Sequence, residues 1–380
     1  MNNLINLINY GQSYWLDNLT REKIINGELK KRVTLEGLRG VTTNPSIFNK
    51  AISNSNEYDN QLMNLFSQKK QVQEVYEELA IKDVQDACDI MRPVFDGSNG
   101  IDGFVSLEVS PHLAYNTEDT MKEARRLYKR VNRINSFIKI PATAEGIPAI
   151  EEMLYEGINI NVTLIFSIQK YKEVAEAYIK ALERRAAENK PVDKIRSVAS
   201  FFLSRIDVSI DSLLTQLLGK EHAKGDLPDP GAMLGKAAVA NAKIAYQAFN
   251  DIFNGGRWEK LKEKNAFVQR PLWASTGSKN PANSDVKYVE PLIGKFTVNT
   301  LPDETISAFA DHGKITKDSI LLDVDNANNE LERLNGYGIN MDSVTGQLLT
   351  EGVKKFQQDY DTLLNNLLEK KNRILEKTIV

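Results

Sequence analysis

The most unusual side chain in the sequence is that of Lys139, which lies inside an apolar run of residues 137–142. A lysine flanked by isoleucines on a central strand would be costly to bury as a cation. Desolvation favours the neutral form of an amine, and a neutral amine is the form that a Schiff-base nucleophile requires. A buried structural ion pair, or a lysine on an edge strand that faces water, would explain the same pattern. The sequence therefore marks Lys139 as a candidate nucleophile.

Three more charged residues lie in or at the end of apolar runs. Asp17 lies near the end of the first run, Glu108 interrupts the third and Arg205 lies near the end of the sixth. Glu108 has a plainer interpretation as the ion-pair partner of Lys139 or of an arginine. An amine, two carboxylates and an arginine at strand ends would suit aldol chemistry on a phosphorylated sugar. The amine would form an imine, a carboxylate would move protons and the arginine would bind phosphate.

Two turns rich in small polar residues follow predicted strands. The first centres on Asn44, which precedes a proline and a serine, a combination that also begins helices. The second, residues 273–281, carries Ser275, Ser278 and Lys279. It could be a phosphate-binding nest of backbone amides or only a tight strand-to-helix connection. Phosphate sites are frequent after the last two strands of a (β/α)8 barrel, so both interpretations stay open.

Other kinds of site find no support in the sequence. The net charge of -3 and the pI of about 5.9 give no reason to expect nucleic acid or an anionic membrane as a partner. His112, His222 and His312 are isolated and lack metal-ligand spacing, so we expect no metal and no cofactor. The single cysteine, Cys88, lies in a helical pattern and is expected to pack in the core. A single cysteine fits a reducing compartment, and the N-terminus does not resemble a signal peptide. Both features favour a cytoplasmic protein.

Eight short apolar, β-branched runs alternate with longer helical patterns. This alternation is typical of a parallel sheet with helical crossovers. Eight runs predict an α/β fold that closes into a single (β/α)8 or TIM barrel. An open doubly wound sheet would need a glycine-rich phosphate turn, and neither G-x-G-x-x-G nor a Walker loop occurs. The runs are residues 14–19, 38–43, 104–109, 137–142, 159–166, 197–206, 268–274 and 296–300.

We expect residues 1–380 to form one domain, because no Pro/Gly/Ser-rich linker divides the chain. The strands would lie within about residues 13–302, and residues 303–380 would form a mainly helical region that packs on the barrel. Two stretches look like additions to the barrel. Residues 71–100 read as a helix pair, and residues 352–376 as one long amphipathic helix whose apolar stripe packs on the barrel or, alternatively, on a partner.

Three motifs resemble those of the transaldolase family, in its longer bacterial branch. The sequence GVTTNPSIF at residues 40–48 resembles the family signature, and IKIPAT at residues 138–143 resembles its Schiff-base strand. The sequence EGININVTLIFS at residues 156–167 is similar to the strand that follows. The motifs occur in the family's order, and the resemblance extends from about residue 14 to residue 302. Three long motifs in order are far more specific than one short pattern.

The resemblance implies a class I, metal-free transfer of a dihydroxyacetone unit between sugar phosphates. Lys139 would form an imine with the ketone of sedoheptulose 7-phosphate or fructose 6-phosphate. Asp17 would take the proton of the C4 hydroxyl while the C3–C4 bond breaks. Glu108 and Thr163 would hold a water that shuttles protons during imine formation and hydrolysis. The pathway implied is the non-oxidative pentose phosphate pathway, and the protein would be a monomer or a homodimer.

The resemblance also implies which residues bind substrate. One departure from the family is Gly277, which stands where the shorter members carry an arginine, and Lys279 is expected to supply the charge instead. The implied substrate-binding residues are Asn44, Asn161, Ser200, Phe202, Arg205, Ser275, Ser278 and Lys279.

Two alternatives to a transaldolase stay open at this point. A fructose 6-phosphate aldolase shares the barrel and the lysine but releases free dihydroxyacetone. Those aldolases are much shorter than this chain and carry glutamine where it has Glu108. A barrel that serves only as a binding module would be expected to lack Lys139 or Asp17, and both are present.

Overall fold

Eight parallel strands form a closed barrel, and the last strand pairs with the first. This computed structural model describes residues 3–219 and 227–379. Every residue of the strands except Glu108 is buried, as expected for strands covered on both faces by side chains. The predicted barrel is therefore confirmed. Its strands are β1 Gln12–Leu16, β2 Gly40–Val41, β3 Phe104–Glu108, β4 Ser136–Pro141, β5 Ile160–Ile165, β6 Ser197–Phe202, β7 Arg270–Ala274 and β8 Thr297–Leu301.

Helices surround the barrel and connect its strands. Short 3-10 turns complete several of the connections. The α-helices are α1 Asn3–Leu7, α2 Arg21–Ile25, α3 Glu28–Leu35, α4 Pro45–Ser53, α5 Asp59–Ser67, α6 Val72–Gly97, α7 Thr117–Val131, α8 Gly146–Glu156, α9 Ile168–Ala187, α10 Ser204–Thr215, α11 Ala237–Phe253, α12 Gly256–Lys262, α13 Asp303–His312, α14 Val324–Gly336 and α15 Met341–Ile379.

The strand ends differ from the predicted runs by a few residues, and two differences affect the site. β1 ends at Leu16, so Asp17 is the first residue beyond the strand. The sixth run does not continue as a strand to residue 206, because β6 ends at Phe202 and α10 begins at Ser204. Arg205 therefore lies in the first turn of a helix, not at the end of a strand.

The prediction of a helix pair in residues 71–100 is wrong. The structure has one helix of 26 residues there, α6, which begins at a capping box of Gln71 and Glu74. Residues 72–92 contain neither glycine nor proline, so nothing in them interrupts a helix. Pro93 lies only near its end. α6 is the last helix between β2 and β3. It therefore belongs to the regular alternation of strands and helices in the barrel.

The C-terminal helix is longer than predicted and packs on the barrel. α15 spans 39 residues and begins at Met341 instead of near Gly352. It contacts α4, α6, α10 and β5. The side chains of the predicted apolar stripe are buried. Its residues are Val353, Phe356, Tyr360, Leu363, Leu364 and Leu367.

The N-terminal end of the barrel is closed by a buried ion pair. Asp102, just before β3, pairs with Arg270 of β7 at 2.9 Å. Ser13 of β1 donates to the other Asp102 oxygen at 2.7 Å and accepts from Arg270 at 2.7 Å. Gly40 is required nearby, since a Cβ atom there would lie 2.4 Å from the indole ring of Trp15. Enzymes of this architecture carry their chemistry at the opposite end.

None of the helices in the described ranges, 3–219 and 227–379, has the length and apolarity needed to cross a membrane.

Candidate active site

Lys139 lies in the interior of the barrel, on β4. It is 6% exposed, and its register partners are Glu108 on β3 and Asn161 on β5. Its Nζ atom donates to the backbone oxygen of Thr43 at 2.8 Å. The amine therefore points inward toward the loop after β2. The alternative of an edge-strand lysine facing water is wrong.

Glu108 is the direct partner of this amine. Its Oε1 atom forms an ion pair with Lys139 Nζ, and the two side chains are 9% and 7% exposed. Burial raises the pKa of the Glu108 carboxyl, although the charge of Lys139 acts in the opposite direction. The ion pair considered from the sequence thus exists. A carboxylate whose pKa is raised is also a good acceptor for the proton that the amine must lose before it can attack a ketone.

Asp17 is held at the mouth of the barrel by a chain of hydroxyl groups. Thr42 donates to Asp17 Oδ1 at 2.7 Å, and its oxygen lies 2.6 Å from that of Thr300. Thr42 has only one hydroxyl proton, so Thr300 donates in the second contact. Burial raises the pKa of the Asp17 carboxyl, against the Thr42 hydrogen bond and the charges of Lys139 and Lys279. A carboxylate of this kind is suited to take a proton from a substrate hydroxyl.

Thr163 lines the same cavity as the lysine, as the alternation from Asn161 requires, and it lies at an irregularity in β5. The pairing of β5 with β6 shifts between Val162 and Ile165, and Leu164 has a left-handed φ of 60°. Such bulges redirect side chains next to active sites. Thr163 is 2% exposed, and its hydroxyl has no hydrogen-bond partner among the described residues. A buried hydroxyl without a partner is unusual and leaves a donor and an acceptor for a ligand or a water.

A chain of polar groups crosses the barrel interior beneath the lysine. Ser200 donates to Asn161 Oδ1 at 2.7 Å, and Asn161 Nδ2 donates to Ser106 Oγ at 3.1 Å. Asn44 serves a different purpose in the resting structure. Its Oδ1 atom accepts from the backbone of Ile47 at 3.0 Å and so caps α4. The helix-cap interpretation is confirmed, and the Nδ2 group of Asn44 stays available as a donor.

Arg205 reaches the site from the first turn of α10. Its guanidinium lies 5.3 Å from the ring centroid of Phe202 and 5.7 Å from that of Phe356. Burial lowers the pKa of the Arg205 guanidinium, and the charges of Asp359 and Glu108 oppose this shift. Within the described ranges, no hydrogen bond engages its donors. A planar cation with unused donors is suited to bind a phosphate group.

The loop after β7 contributes its polar residues unequally. Ser275 has a φ of 55° and its hydroxyl lies 2.8 Å from that of Ser204. Ser278 donates to the backbone oxygen of Asn280 at 3.1 Å, within its own loop. Lys279 is exposed, yet its charge acts on Asp17. Lys279 is therefore near enough to the site for its charge to help bind an anionic substrate.

The other candidates lie away from this site. Cys88 is fully buried in α6, where burial raises the pKa of its thiol and makes it inert as a nucleophile. In the described part of the chain, no group of three His, Cys, Asp or Glu side chains is placed to hold a metal ion. His112 and His312 pair with surface aspartates, and His222 lies outside the described residues.

Several residues of the site were missed in the sequence. Thr42 and Thr43 lie beside the recognised Asn44, but no pattern indicated that one would hold Asp17 and the other the lysine. Val353 and Phe356 of α15 line the cavity with Lys139, Glu108 and Thr163. Their apolar stripe indicated packing only, since helical periodicity does not say which surface a face covers.

The fold and the site together define the class of protein. The chain is a (β/α)8-barrel enzyme in which a buried lysine and two carboxyl groups meet at the C-terminal ends of the strands. The sequence pattern of the transaldolase/fructose-6-phosphate aldolase family matches residues 14–367, and the chain belongs to this family.

Individual relatives resemble the chain over nearly its whole length. It is 47% identical over 378 residues to a protein of Trichodesmium erythraeum named transaldolase, with 98% of each chain covered. It is 46% identical over 374 residues to transaldolase 2 of Nostoc punctiforme, with 97% of each covered. It is 43% identical over 364 residues to the transaldolase of Mycobacterium ulcerans, with 96% of this chain and 95% of the relative covered.

Proposed function

We propose that the protein is a transaldolase that works through a Schiff base on Lys139. It transfers a dihydroxyacetone unit from sedoheptulose 7-phosphate to glyceraldehyde 3-phosphate, giving erythrose 4-phosphate and fructose 6-phosphate. The observation that carries this proposal is the buried Lys139 amine in direct contact with Glu108, in a barrel whose relatives are named transaldolases. The reaction belongs to the non-oxidative pentose phosphate pathway.

The first step is formation of the imine, in which Glu108 manages the protons. Glu108 accepts a proton from the Lys139 ammonium, and the neutral amine adds to the substrate ketone to give a carbinolamine. The protonated carboxyl then returns a proton to the carbinolamine hydroxyl, which leaves as water while the C=N bond forms. The hydroxyl of Thr163, buried and unpartnered in the described residues, orients that water beside Glu108.

The second step breaks the carbon chain with Asp17 as the base. Asp17 takes the proton of the C4 hydroxyl, the C3–C4 bond breaks, and its electron pair flows into the iminium to give an enamine. The aldose phosphate leaves, and the three-carbon enamine stays bound to Lys139. With an acceptor aldehyde the same steps run in reverse: C3 attacks the aldehyde carbon and Asp17 returns the proton to the new hydroxyl.

The remaining site residues hold the substrate. Asn44, Asn161 and Ser200 orient the hydroxyl groups of the bound three-carbon unit, as their amide and hydroxyl groups allow. Arg205 binds the phosphate with its unused donors, against the ring of Phe202. The residues proposed to assist it from the loop after β7 are Ser275, Ser278 and Lys279.

The wider properties of the protein follow from the same proposal. Its partners are sugar phosphates, and the mechanism needs no metal or cofactor because the lysine itself supplies the electron sink. We propose that residues 1–380 act as a single domain in which residues 303–380 pack on the barrel. The protein would work in the cytoplasm, as a monomer or a homodimer, without nucleic acid or membrane as a partner.

A coupled assay separates transfer from the aldolase alternative. Fructose 6-phosphate is supplied with and without erythrose 4-phosphate, and glyceraldehyde 3-phosphate is followed. Without the acceptor, a transaldolase produces about one equivalent per active site and then only a slow further release, because an aldehyde discharges the enamine much faster than water does. Continuous production from fructose 6-phosphate alone, at a rate that the acceptor does not change, would contradict the proposal and indicate the aldolase.

A further inference from the structure

The C-terminal helix forms one side of the cavity above Lys139. Its floor is formed by Lys139, Glu108 and Thr163, and its roof by Val353 and Phe356 of α15. The empty volume between these residues, including space that is open to solvent, is about 270 Å³. A segment more than two hundred residues away in sequence therefore completes the surroundings of the nucleophile.

Two further contacts show that α15 is fitted closely to this place. A methyl group added at Gly352 would lie 3.1 Å from Leu164 Cδ2 and 3.4 Å from Arg205 Nη1. One turn further along, Phe356 lies 5.7 Å from the Arg205 guanidinium, which also faces Phe202 at 5.3 Å. A side chain at this position would press on Leu164 and Arg205, so the helix packs closely against the barrel here. It also presents an aromatic ring to the cation proposed to bind phosphate.

The proposed reaction has a side path that water opens. If C3 of the enamine takes a proton from solvent, the resulting iminium can add water at its carbon. The C–N bond then breaks, dihydroxyacetone leaves, and Lys139 departs as the ammonium. Transfer therefore depends on keeping water from the enamine until an aldehyde arrives, which is one purpose of closing an active site.

We infer that Phe356 determines the specificity of the enzyme for transfer over hydrolysis, by covering the enamine on Lys139 and positioning Arg205. This inference rests on the proposed function. The apolar roof of Val353 and Phe356 excludes water from the lysine, and the ring of Phe356 holds the guanidinium in its place on the rim. Phe356 is thus a residue of the active site that the barrel itself does not supply.

The test compares Phe356→Ala and Phe356→Leu with a control on the same helix. Leu363→Ala removes a fully buried side chain of α15 that does not line the cavity. Two rates are measured for each variant: release of free dihydroxyacetone from fructose 6-phosphate without acceptor, and transfer to erythrose 4-phosphate. We expect the release-to-transfer ratio to rise about tenfold or more in Phe356→Ala and less in Phe356→Leu, with a higher KM for fructose 6-phosphate. Leu363→Ala should keep the ratio of the unaltered protein.

Each outcome has a defined meaning. A ratio in folded Phe356→Ala within about twofold of the unaltered protein would overturn the inference, as would an equal rise in Leu363→Ala, which would indicate general loosening of the helix. If the alanine variant does not fold, Phe356→Leu decides by the same criterion. An unaltered protein that shows no transfer at all contradicts the proposed function and is thereby distinguished from failure of the role of Phe356.

Discussion

The two ends of the barrel both bury charged side chains, but they treat them differently. At the N-terminal end, both oxygens of Asp102 accept hydrogen bonds, and all three nitrogens of the Arg270 guanidinium donate. At the C-terminal end, the buried hydroxyl of Thr163 lacks a hydrogen-bond partner within the described residues. The contacts of the Arg205 guanidinium described there are with the rings of Phe202 and Phe356. Burial there raises the pKa of both Asp17 and Glu108.

This difference distinguishes polar groups that hold the fold from those that can react. A fully hydrogen-bonded ion pair such as Asp102–Arg270 is held in one geometry. Burial opposes the ionisation of the carboxyl groups at the C-terminal end, and a hydroxyl without a partner lacks a hydrogen bond. A bound substrate can supply the missing interaction in either case. The comparison predicts that changes at one end alter activity with little loss of stability, whereas changes at the other alter stability with little loss of activity.

The largest effect is expected from removal of the nucleophile. Lys139→Ala should abolish turnover, because Lys139 is the one amine that lines the cavity among the described residues. The fold should survive, since Glu108 can become neutral when its partner is absent. The coupled transfer assay and thermal unfolding measure the two properties. Activity within about tenfold of the unaltered protein would show that another residue carries the imine.

Asp17→Asn should lower kcat by about 10²–10⁴-fold, the usual contribution of a general base, while imine formation remains possible. The same change should stabilise the protein at pH 7. Because the folded-state pKa of Asp17 is raised, its contribution to stability is present below the unfolded pKa and lost as pH rises through the folded pKa. Asparagine avoids that loss. A lower urea midpoint for the variant at pH 7, with no change at acid pH, would contradict the assignment.

At the opposite end, Asp102→Asn should destabilise the fold by about 3–5 kcal/mol, because it leaves the buried Arg270 cation without its partner. The kcat of the fraction that remains folded should be unchanged. Urea denaturation and an active-site titration measure these quantities separately. A selective loss of kcat, with the urea midpoint intact, would mean that the N-terminal end takes part in catalysis.

The smallest and most sharply matched effects concern two hydroxyl groups. Ser13→Ala removes a hydroxyl that both donates and accepts, so it should cost about 1–3 kcal/mol of stability with activity kept. Thr163→Val removes a hydroxyl that has no hydrogen-bond partner among the described residues. The free energy of unfolding should therefore stay the same or rise, while kcat falls. Equal stability losses in both variants would remove the distinction between the two ends.

Much of the fold could be predicted from the sequence because its main signal is local. Runs such as residues 137–142 are apolar at successive positions, which is what a strand buried on both faces requires. The ends of the strands were predicted less accurately. No residue pattern within 197–206 indicates that β6 ends at Phe202. The helix pair expected in residues 71–100 was wrong, because these residues form one helix that continues without a break to Gly97.

Without the family resemblance, the site was predictable only where a residue contradicted its surroundings. Lys139 and Glu108 are charges inside apolar strands, and both are in the cavity. Phe356 agrees with its surroundings, as one more apolar residue on an amphipathic helix, and so gave no signal. Its place above the lysine follows from the path of α15 across the barrel, which is a tertiary property that no local pattern contains.

The central claim, that a buried amine on β4 captures the substrate ketone, is tested most directly by trapping the imine. The protein is incubated with fructose 6-phosphate, reduced with borohydride, digested and mapped by peptide mass. The account predicts one dihydroxyacetone adduct, on Lys139, and no adduct in Lys139→Ala. An adduct on a different lysine, or none under conditions of full activity, would contradict it.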